Sequence, residues 1–270
     1  MYYISEFKIF LSHLMDNWQL IKTLIKNDFK KQYLGSYLGL VWAFIQPITF
    51  IAVIWFVFEI GFRSAPDTNG VPFFLWLISG MIPWFFFANG FTSGANAIIS
   101  NSFLVKKVAF RTSILPLVQI GSAFIIHVVL VSLLILAFLF YGFSPDLYWF
   151  QIIYYIFCNI ILLIGLSWVT SSIRVFIKDI GNLITVLIQI GFWATPIFWS
   201  LILVPEKYQY IIKANPMYYI ISGFRDTFIN KIWFWERGYE SLYFISFTTI
   251  LFIIGAIVFR KLRPHFGDVL

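Results

Sequence analysis

The sequence predicts an all-α membrane protein with six transmembrane helices. Three observations predict it: 60% of the 270 residues are hydrophobic, only 11% are charged, and six apolar stretches are long enough to cross a bilayer. A helix rises about 1.5 Å per residue, so about 20 apolar residues span a hydrocarbon core about 30 Å thick. The predicted spans are Leu38–Phe62, Phe73–Ile99, Ile114–Phe143, Trp149–Ser172, Ile180–Val204 and Leu242–Phe259.

These spans fill most of the chain, which indicates a single membrane domain over residues 1–270. Within it we expect a cytoplasmic and interfacial segment at 1–37, a six-span bundle at 38–259 and a cytoplasmic tail at 260–270. No other stretch has the length or composition of a separate soluble catalytic domain.

The net charge of +7 is distributed unevenly along the chain. Basic residues collect before span one, between spans two and three, around the turn into span five, and after span six, whereas the segment between spans five and six nearly balances bases with acids. Positive loops face the cytoplasm, so both termini are predicted to be cytoplasmic. Because topology accounts for the basic residues, the sequence does not indicate nucleic acid as a partner.

The segment Asn17–Tyr33 is predicted to form an amphipathic helix before the first span. Its apolar and basic residues recur at helical spacing on adjoining faces, although Asp28 intrudes near the apolar face. We expect this helix to lie in the cytoplasmic interface, where its lysines meet anionic lipid headgroups. It could act as a juxtamembrane anchor or as a platform that collects an anionic lipid-linked substrate.

The segment Val204–Ser241 is too long for a simple hairpin and contains apolar clusters too short to span. Pro205 and Pro216 interrupt it. Apolar pieces of 10–14 residues are candidates for re-entrant helices. We predict two such helices, roughly Glu206–Ala214 and Met217–Ile229, that dip into the outer leaflet.

Several kinds of chemistry are missing from the chain. No glycine precedes a lysine, so there is no phosphate-binding loop, and no His or Cys cluster predicts a metal site. His127 is the only ionisable residue near mid-membrane and the only candidate base for an embedded hydrolase; a structural role is the alternative. The absence of carboxylates and lysines from the span cores argues against ion-coupled transport.

If the chain moves a substrate, its energy source is therefore expected on another polypeptide. The inner loops Lys106–Arg111 and Arg174–Asp179 are where such a partner would attach. Phe103, Val108 and Phe110 alternate with charges, which is typical of a short helix seated in a partner's groove. Topology signals alone are the alternative explanation for the basic residues.

Several short motifs, in the order in which they follow one another along this chain, are shared with a known group of transporters. The first is Asp28-Phe29-Lys30-x-x-Tyr33-x-Gly35-Ser36-x-Leu38-Gly39-x-x-Trp42; the others are Gln46-Pro47, Leu104-Val105-Lys106-Lys107-Val108-x-Phe110, Ile114-Leu115-Pro116, Lys178-Asp179-Ile180, Gln189, Thr195-Pro196-Ile197, Pro205, Asn215-Pro216 and Arg225. On these residues the chain resembles the membrane subunit of polysaccharide-export ABC transporters, which include the O-antigen and wall-teichoic-acid permeases.

The resemblance implies two copies of this chain with two separate ATPase subunits in a bacterial cytoplasmic membrane. ATP and Mg would be held by the ATPases, and this chain would bind no cofactor. The implied substrate is a long glycan on an undecaprenyl diphosphate lipid, moved from the cytoplasmic to the outer leaflet. The ATPase-coupling residues would be Phe103, Lys106, Lys107, Phe110 and Arg111, and the outer gate residues Pro205, Asn215, Pro216, Tyr218, Tyr219 and Arg225.

Two hypotheses concern the substrate. Four aromatic residues flank the Pro196 break and are predicted to line a glycan path, because aromatic faces and nearby polar groups bind sugars; interfacial belts and simple packing are the alternatives. These residues are Phe192, Trp193, Phe198 and Trp199. Lys30, Lys31 and Arg111 lie at the inner headgroup level, where they could attract the diphosphate or serve only as topology signals.

Three rival functions remain open at this stage. A permease of the same fold could export a drug, a small lipid or a peptide. An ion-coupled carrier and a membrane enzyme acting on lipid-linked sugars belong to other classes.

Overall fold

The computed structural model describes residues 17–33, 38–61, 70–106 and 111–270, and within these ranges every regular element is helical. This confirms the predicted all-α class. The α-helices are α1 Trp18–Tyr33, α2 Trp42–Trp55, α3 Phe73–Ser100, α4 Ser102–Val105, α5 Leu115–Phe140, α6 Ile152–Arg174, α7 Ile180–Ala194, α8 Glu206–Lys213, α9 Pro216–Arg225, α10 Gly238–Leu262 and α11 Phe266–Val269.

Five helical stretches are long and apolar enough to cross a membrane. Short 3₁₀ or π turns lengthen several of the α-helices, and the stretches are Gly39–Gly61, Phe73–Ser100, Thr112–Phe140, Leu147–Arg174 and Gly238–Val269. They agree with five of the predicted spans, except that the last begins before Leu242; Phe62, the predicted end of the first, lies outside the described residues.

The predicted fifth span, Ile180–Val204, is α-helical only in its first part. Helix α7 has 15 residues and ends at Ala194. Thr195 is extended, with φ −89° and ψ 139°. The residue before a proline is disfavoured in the helical region, and Pro196 itself has no N–H to donate, so the helix stops here. By contrast Pro47 and Pro83 lie inside α2 and α3.

Helix α3 is the centre of the bundle. In its most apolar window 78% of the residues are buried, and it packs most extensively against α5 and α6. The first crossing helix is embedded far less, with 17% buried, and α7 buries only Ile184 and Phe192. The helices α2 and α7 therefore expose most of their apolar surface.

The basic segments gather at one end of the bundle. A cluster of buried residues there joins the end of α3, the start of α5, the end of α6 and the C-terminal turns after α10, through side chains such as Ile98, Leu115, Val175 and Phe266. Helix α1 packs at the same end, because Ile21 is buried against the start of α5.

The structure explains why Asp28 lies near the apolar face of α1, which the sequence pattern left unexplained. Its carboxylate accepts a hydrogen bond of 2.6 Å from Gln119 on α5 and one of 2.9 Å from Gln32. Gln32 also donates to Ser122 at 3.3 Å. The face of α1 that carries Asp28 is thus pinned to α5 by polar contacts, and the predicted helix Asn17–Tyr33 is confirmed from Trp18 onward.

Candidate functional site

The turn between α8 and α9 is tied to the end of α7 by one side chain. The Asn215 side-chain oxygen accepts from the Met217 N–H at 3.0 Å and so caps α9, in which Pro216 takes the first position. The same amide donates through its Nδ2 to the Thr195 hydroxyl at 2.7 Å. Two motifs 20 residues apart in the sequence therefore meet at the α7 break.

Arg225 closes the same break from the other end of α9. Its Nη1 donates to the Pro196 carbonyl at 2.7 Å and its Nη2 to the Ile197 carbonyl at 2.6 Å. The guanidinium lies 3.4 Å above the ring of Trp76 on α3. Arginine stays protonated in proteins, so this group is a cation. The carbonyls of the two non-helical residues that follow Thr195 thus accept from a charged donor.

The other predicted outer-gate residues are divided between core and surface. Tyr218 and Tyr219 are buried. The hydroxyl of Tyr219 lies 3.0 Å from that of Tyr154 and 2.9 Å from the Ser241 hydroxyl, which connects α9 to α6 and α10. Pro205 is exposed at the start of α8. The structure therefore brings Asn215, Pro216 and Arg225 to the break, but not Pro205.

An ion-pair network that the sequence analysis missed holds the segment after α9. The fully buried carboxylate of Asp226 pairs with Arg237, which also pairs with Glu240 at 2.6 Å; Glu240 in turn meets Lys213 of α8 at 3.2 Å. Although burial alone would lower the pKa of Arg237, its bonds to the two carboxylates raise it. The only sign of this ion-pair network in the sequence is that acidic and basic residues nearly balance in the segment.

A cavity of about 1200 Å³ opens between α2, α3, α5 and α7. Two of the four predicted path residues, Phe192 and Trp193, line it. The other two do not: Phe198 is buried with its ring centre 5.6 Å from that of Phe192, and Trp199 donates its indole N–H to the Trp193 carbonyl at 3.1 Å. Those two residues support the cavity wall from outside.

Polar side chains within the apolar helices also line this cavity, and the sequence analysis assigned them no binding role. They are Gln46, Thr49, Asn89, Thr92, His127 and Gln189, and Gln32 of the amphipathic helix α1 adds one more amide. Their signal was an amide or hydroxyl inside an apolar span, but only the packing of four helices shows that they share one space.

The predicted basic and coupling residues lie at the opposite end from the α7 break. Lys30 and Lys31 are exposed in the last turn of α1, beside Gln32 at the cavity. Phe103 is 59% exposed on the short helix α4, whose Leu104 and Val105 pack inward. Lys106 is exposed and Arg111 half-buried, whereas Lys107 and Phe110 lie outside the described residues.

Comparisons with known proteins match the chain along almost its whole length. The family described as ABC-2 type transporter matches residues 19–229. Two proteins named O-antigen export system permease protein RfbA, both from Klebsiella pneumoniae, are 31% and 30% identical over 268 residues, covering 98% of this chain and 99% of each relative. A protein of the same name from Myxococcus xanthus is 24% identical over 213 residues, 77% of this chain and 80% of that protein.

Proposed function

The chain belongs to the ABC-2 type transporter family, and we propose that it is the permease subunit of an ATP-driven exporter of lipid-linked polysaccharide. The observation that carries the proposal is its similarity, over 98% of its length, to permeases named for O-antigen export. It is a multi-pass protein of the bacterial cytoplasmic membrane. The exported glycan would be of the O-antigen or teichoic-acid type, carried on undecaprenyl diphosphate from the cytoplasmic to the outer leaflet.

Six crossings are proposed, with α7 and the residues after it forming a broken fifth crossing. Helix α7 starts after Arg174, at the end of the bundle where the basic residues gather, while α10 starts at Gly238 beside the outer segment. On this proposal the chain crosses between these points, through α7 and the stretch that runs to Leu201–Leu203. The positive-inside rule then places both termini in the cytoplasm, and α8 and α9 would be the re-entrant pair.

The proposed assembly contains two copies of this chain and two ATPase subunits. The exposed apolar faces of α2 and α7 offer a surface for the second copy, through residues such as Ile48, Leu183 and Leu187. The chain has no phosphate-binding loop, so ATP and Mg would be bound by the partner ATPase. Phe103 and the basic loop through Arg111 would transmit the ATPase movement to α3 and α5.

The outer segment is proposed to act as a gate, and the basic inner residues as an entry site. Asn215 and Arg225 hold α9 against the break in α7, so a movement of α7 would be passed to α9. Lys30 and Lys31 lie in the exposed last turn of α1, where a lipid diphosphate at headgroup level could be attracted. Arg111 would contribute at the start of the third crossing.

The test is reconstitution of the purified chain with its partner ATPase in lipid vesicles. We expect lipid-linked glycan to stimulate ATP turnover and to be transported, while the same lipid without its glycan does not stimulate. A matched control is the complex whose ATPase has lost its phosphate-loop lysine, in which both activities should disappear.

Three results would contradict the proposal. Transport that continues without ATP and stops when an ionophore dissipates the ion gradient would indicate an ion-coupled carrier. Covalent change of the lipid-linked sugar by the chain alone would indicate a membrane enzyme. Equal stimulation by a drug or a small lipid would indicate that the fold serves another substrate.

A further inference from the structure

The segment that follows the last crossing helix, residues 263–270, is amphipathic, and we call it the inner tail. A 3₁₀ turn, Arg263–His265, joins α10 to the short helix α11. Apolar side chains recur at helical spacing through this junction, and the ones that pack on the bundle are Phe259, Leu262, Phe266 and Leu270. The residues between them are exposed, and most are polar or charged. The inner tail therefore packs on the bundle along one apolar edge.

Phe266 is the most deeply buried residue of the inner tail, with an exposed fraction of 0%. Its ring lies edge-on to that of Phe259, two helical turns earlier, with ring centres 5.5 Å apart. The buried cluster to which it belongs also contains residues from the end of α3, the start of α5 and the end of α6: Ala97, Ile98, Leu115, Trp168 and Val175. One side chain of the inner tail is thus shared by the inner ends of three crossing helices.

Both inner loops are anchored in this same cluster. In the first loop, Leu104 and Val105 of α4 pack against it. In the second, Val175 is buried in it, and the ring centre of the next residue, Phe176, lies 6.3 Å from that of Phe266. The crossing helices α5 and α6 separate the two loops along the chain, so the inner tail supports two segments that are distant in sequence.

Each loop also exposes apolar side chains on its outer side. Phe103 is 59% exposed beside Leu104, and in the second loop Phe176 and Ile177 are exposed beside the buried Val175. A partner that binds the outer side of a loop would therefore press on residues whose neighbours belong to the cluster. Close-packed side chains transmit displacement because they leave little free volume.

The crossing helices have contacts of their own that do not involve the inner tail. The indole N–H of Trp168 on α6 donates to the Ser113 carbonyl just before α5 at 3.2 Å, and α3 packs extensively on both α5 and α6. Loss of the Phe266 ring is therefore expected to loosen the loops more than the bundle.

We propose that Phe266 is a positioning residue for export: through it the inner tail holds the two inner loops together, so that a movement of the ATPase displaces both loops as one body. The identity of this partner rests on the proposed function. Phe266 acts through α4 and the turn between α6 and α7, and a packed cluster of this kind can carry coupling between distant sites.

The first test measures the distance between the two loops in the chain alone, in lipid nanodiscs. In a Cys158→Ala background, Ser100→Cys and Lys178→Cys place spin labels at exposed positions beside the two loops. Double electron–electron resonance then gives the distribution of label distances, and an excess of unlabelled chain restricts the signal to pairs within one copy. We expect one narrow distribution, and a wider one when Phe266→Ala is added.

Three further variants separate positioning from stability. Phe138→Ala is the matched control, because it removes an equally buried ring at the other end of α5 and should leave the distribution narrow. Phe266→Leu keeps an apolar side chain and should restore most of the narrow distribution. Phe176→Ala, at an exposed residue that tolerates substitution, removes the ring contact from the other side and should widen it. This variant keeps the test decisive if Phe266→Ala does not fold.

The second test measures glycan exported per ATP hydrolysed, in the complex with the partner ATPase. Coupling between two sites is typically worth about 5–150-fold, so we expect Phe266→Ala to lower this ratio about fivefold or more while ATP is still hydrolysed. A loss of folded protein lowers export and ATP turnover together and leaves the ratio unchanged. Phe138→Ala should therefore keep the ratio of the unmodified complex.

The two proposals fail in different ways. A distribution that stays narrow in both Phe266→Ala and Phe176→Ala would overturn the role of the inner tail, whether or not glycan is exported. An unchanged ratio in Phe266→Ala, or an equal loss in Phe138→Ala, would also overturn it. A wider distribution in a chain that never exports glycan with its ATPase would support the link between the loops and overturn the exporter.

Discussion

Replacement of Arg225 by methionine tests the contact that joins α9 to the break in α7. Methionine has nearly the same length but cannot donate a hydrogen bond, so the carbonyls of Pro196 and Ile197 lose the donors that now lie 2.7 and 2.6 Å away. The substitution also removes the guanidinium charge that lies above the ring of Trp76. We expect a less stable protein in which α9 separates from α7 more easily.

The magnitude follows from three contributions. A hydrogen bond from a charged donor is worth about 1.5–3 kcal/mol, so the two bonds are worth about 3–6 kcal/mol. A desolvated guanidinium over an indole ring adds about 2 kcal/mol. Removing a buried cation returns a desolvation penalty of several kcal/mol. We therefore expect Arg225→Met to lower the free energy of unfolding by about 2–4 kcal/mol, and Arg225→Lys, which keeps the charge but not the two-pronged geometry, to lower it less.

The assay is unfolding in mixed micelles with increasing dodecyl sulfate. Cys158 is the only cysteine and is buried, so the reaction of its thiol with a fluorogenic maleimide reports unfolding. Arg263→Met, which changes an exposed arginine after α10, is the matched control and should stay within about 0.5 kcal/mol of the unmodified protein. The reasoning is refuted if Arg225→Met is also within that range.

The same measurement checks two further substitutions. A Cβ added at Gly223 would lie 2.0 Å from the rigid ring of Tyr155, so Gly223→Ala should destabilise the protein by at least about 1–3 kcal/mol. Gly267→Ala, whose Cβ would meet nothing within 4 Å, should be neutral, and equal effects of the two would contradict the packing of α9 on α6. Arg237→Leu leaves the buried carboxylate of Asp226 without its cation and should cost about 3–5 kcal/mol, part of which Asp226→Asn should restore; a stable single variant would show that the pair is not formed.

The local sequence pattern is sufficient to predict which segments are helical, but it does not predict where every helix ends. The spans around Pro47 and Pro83 follow from uninterrupted apolar length, because a helix in a bilayer must satisfy its own backbone hydrogen bonds. The sequence indicates a break at Pro196, but it does not show that the helix ends at Ala194 and that the residues directly after it are non-helical. Whether the chain can leave the helix at a proline depends on which groups pair with the backbone that follows, and here the carbonyls of Pro196 and Ile197 accept from Arg225, 29 and 28 positions away.

The all-helical membrane class, the basic end of the bundle, the short helices after the fifth span and the absence of a phosphate-binding loop motif can all be read from the sequence. These properties depend on composition, charge and spacing, which are local. The tertiary structure alone decided that Asp28 meets Gln119, that Arg225 lies on Trp76, and that His127 shares one uncharged cavity with Gln46 and Gln189. Each of these depends on which helix faces which, and apolar helices that are almost uniformly hydrophobic carry too little periodic signal to specify a neighbour.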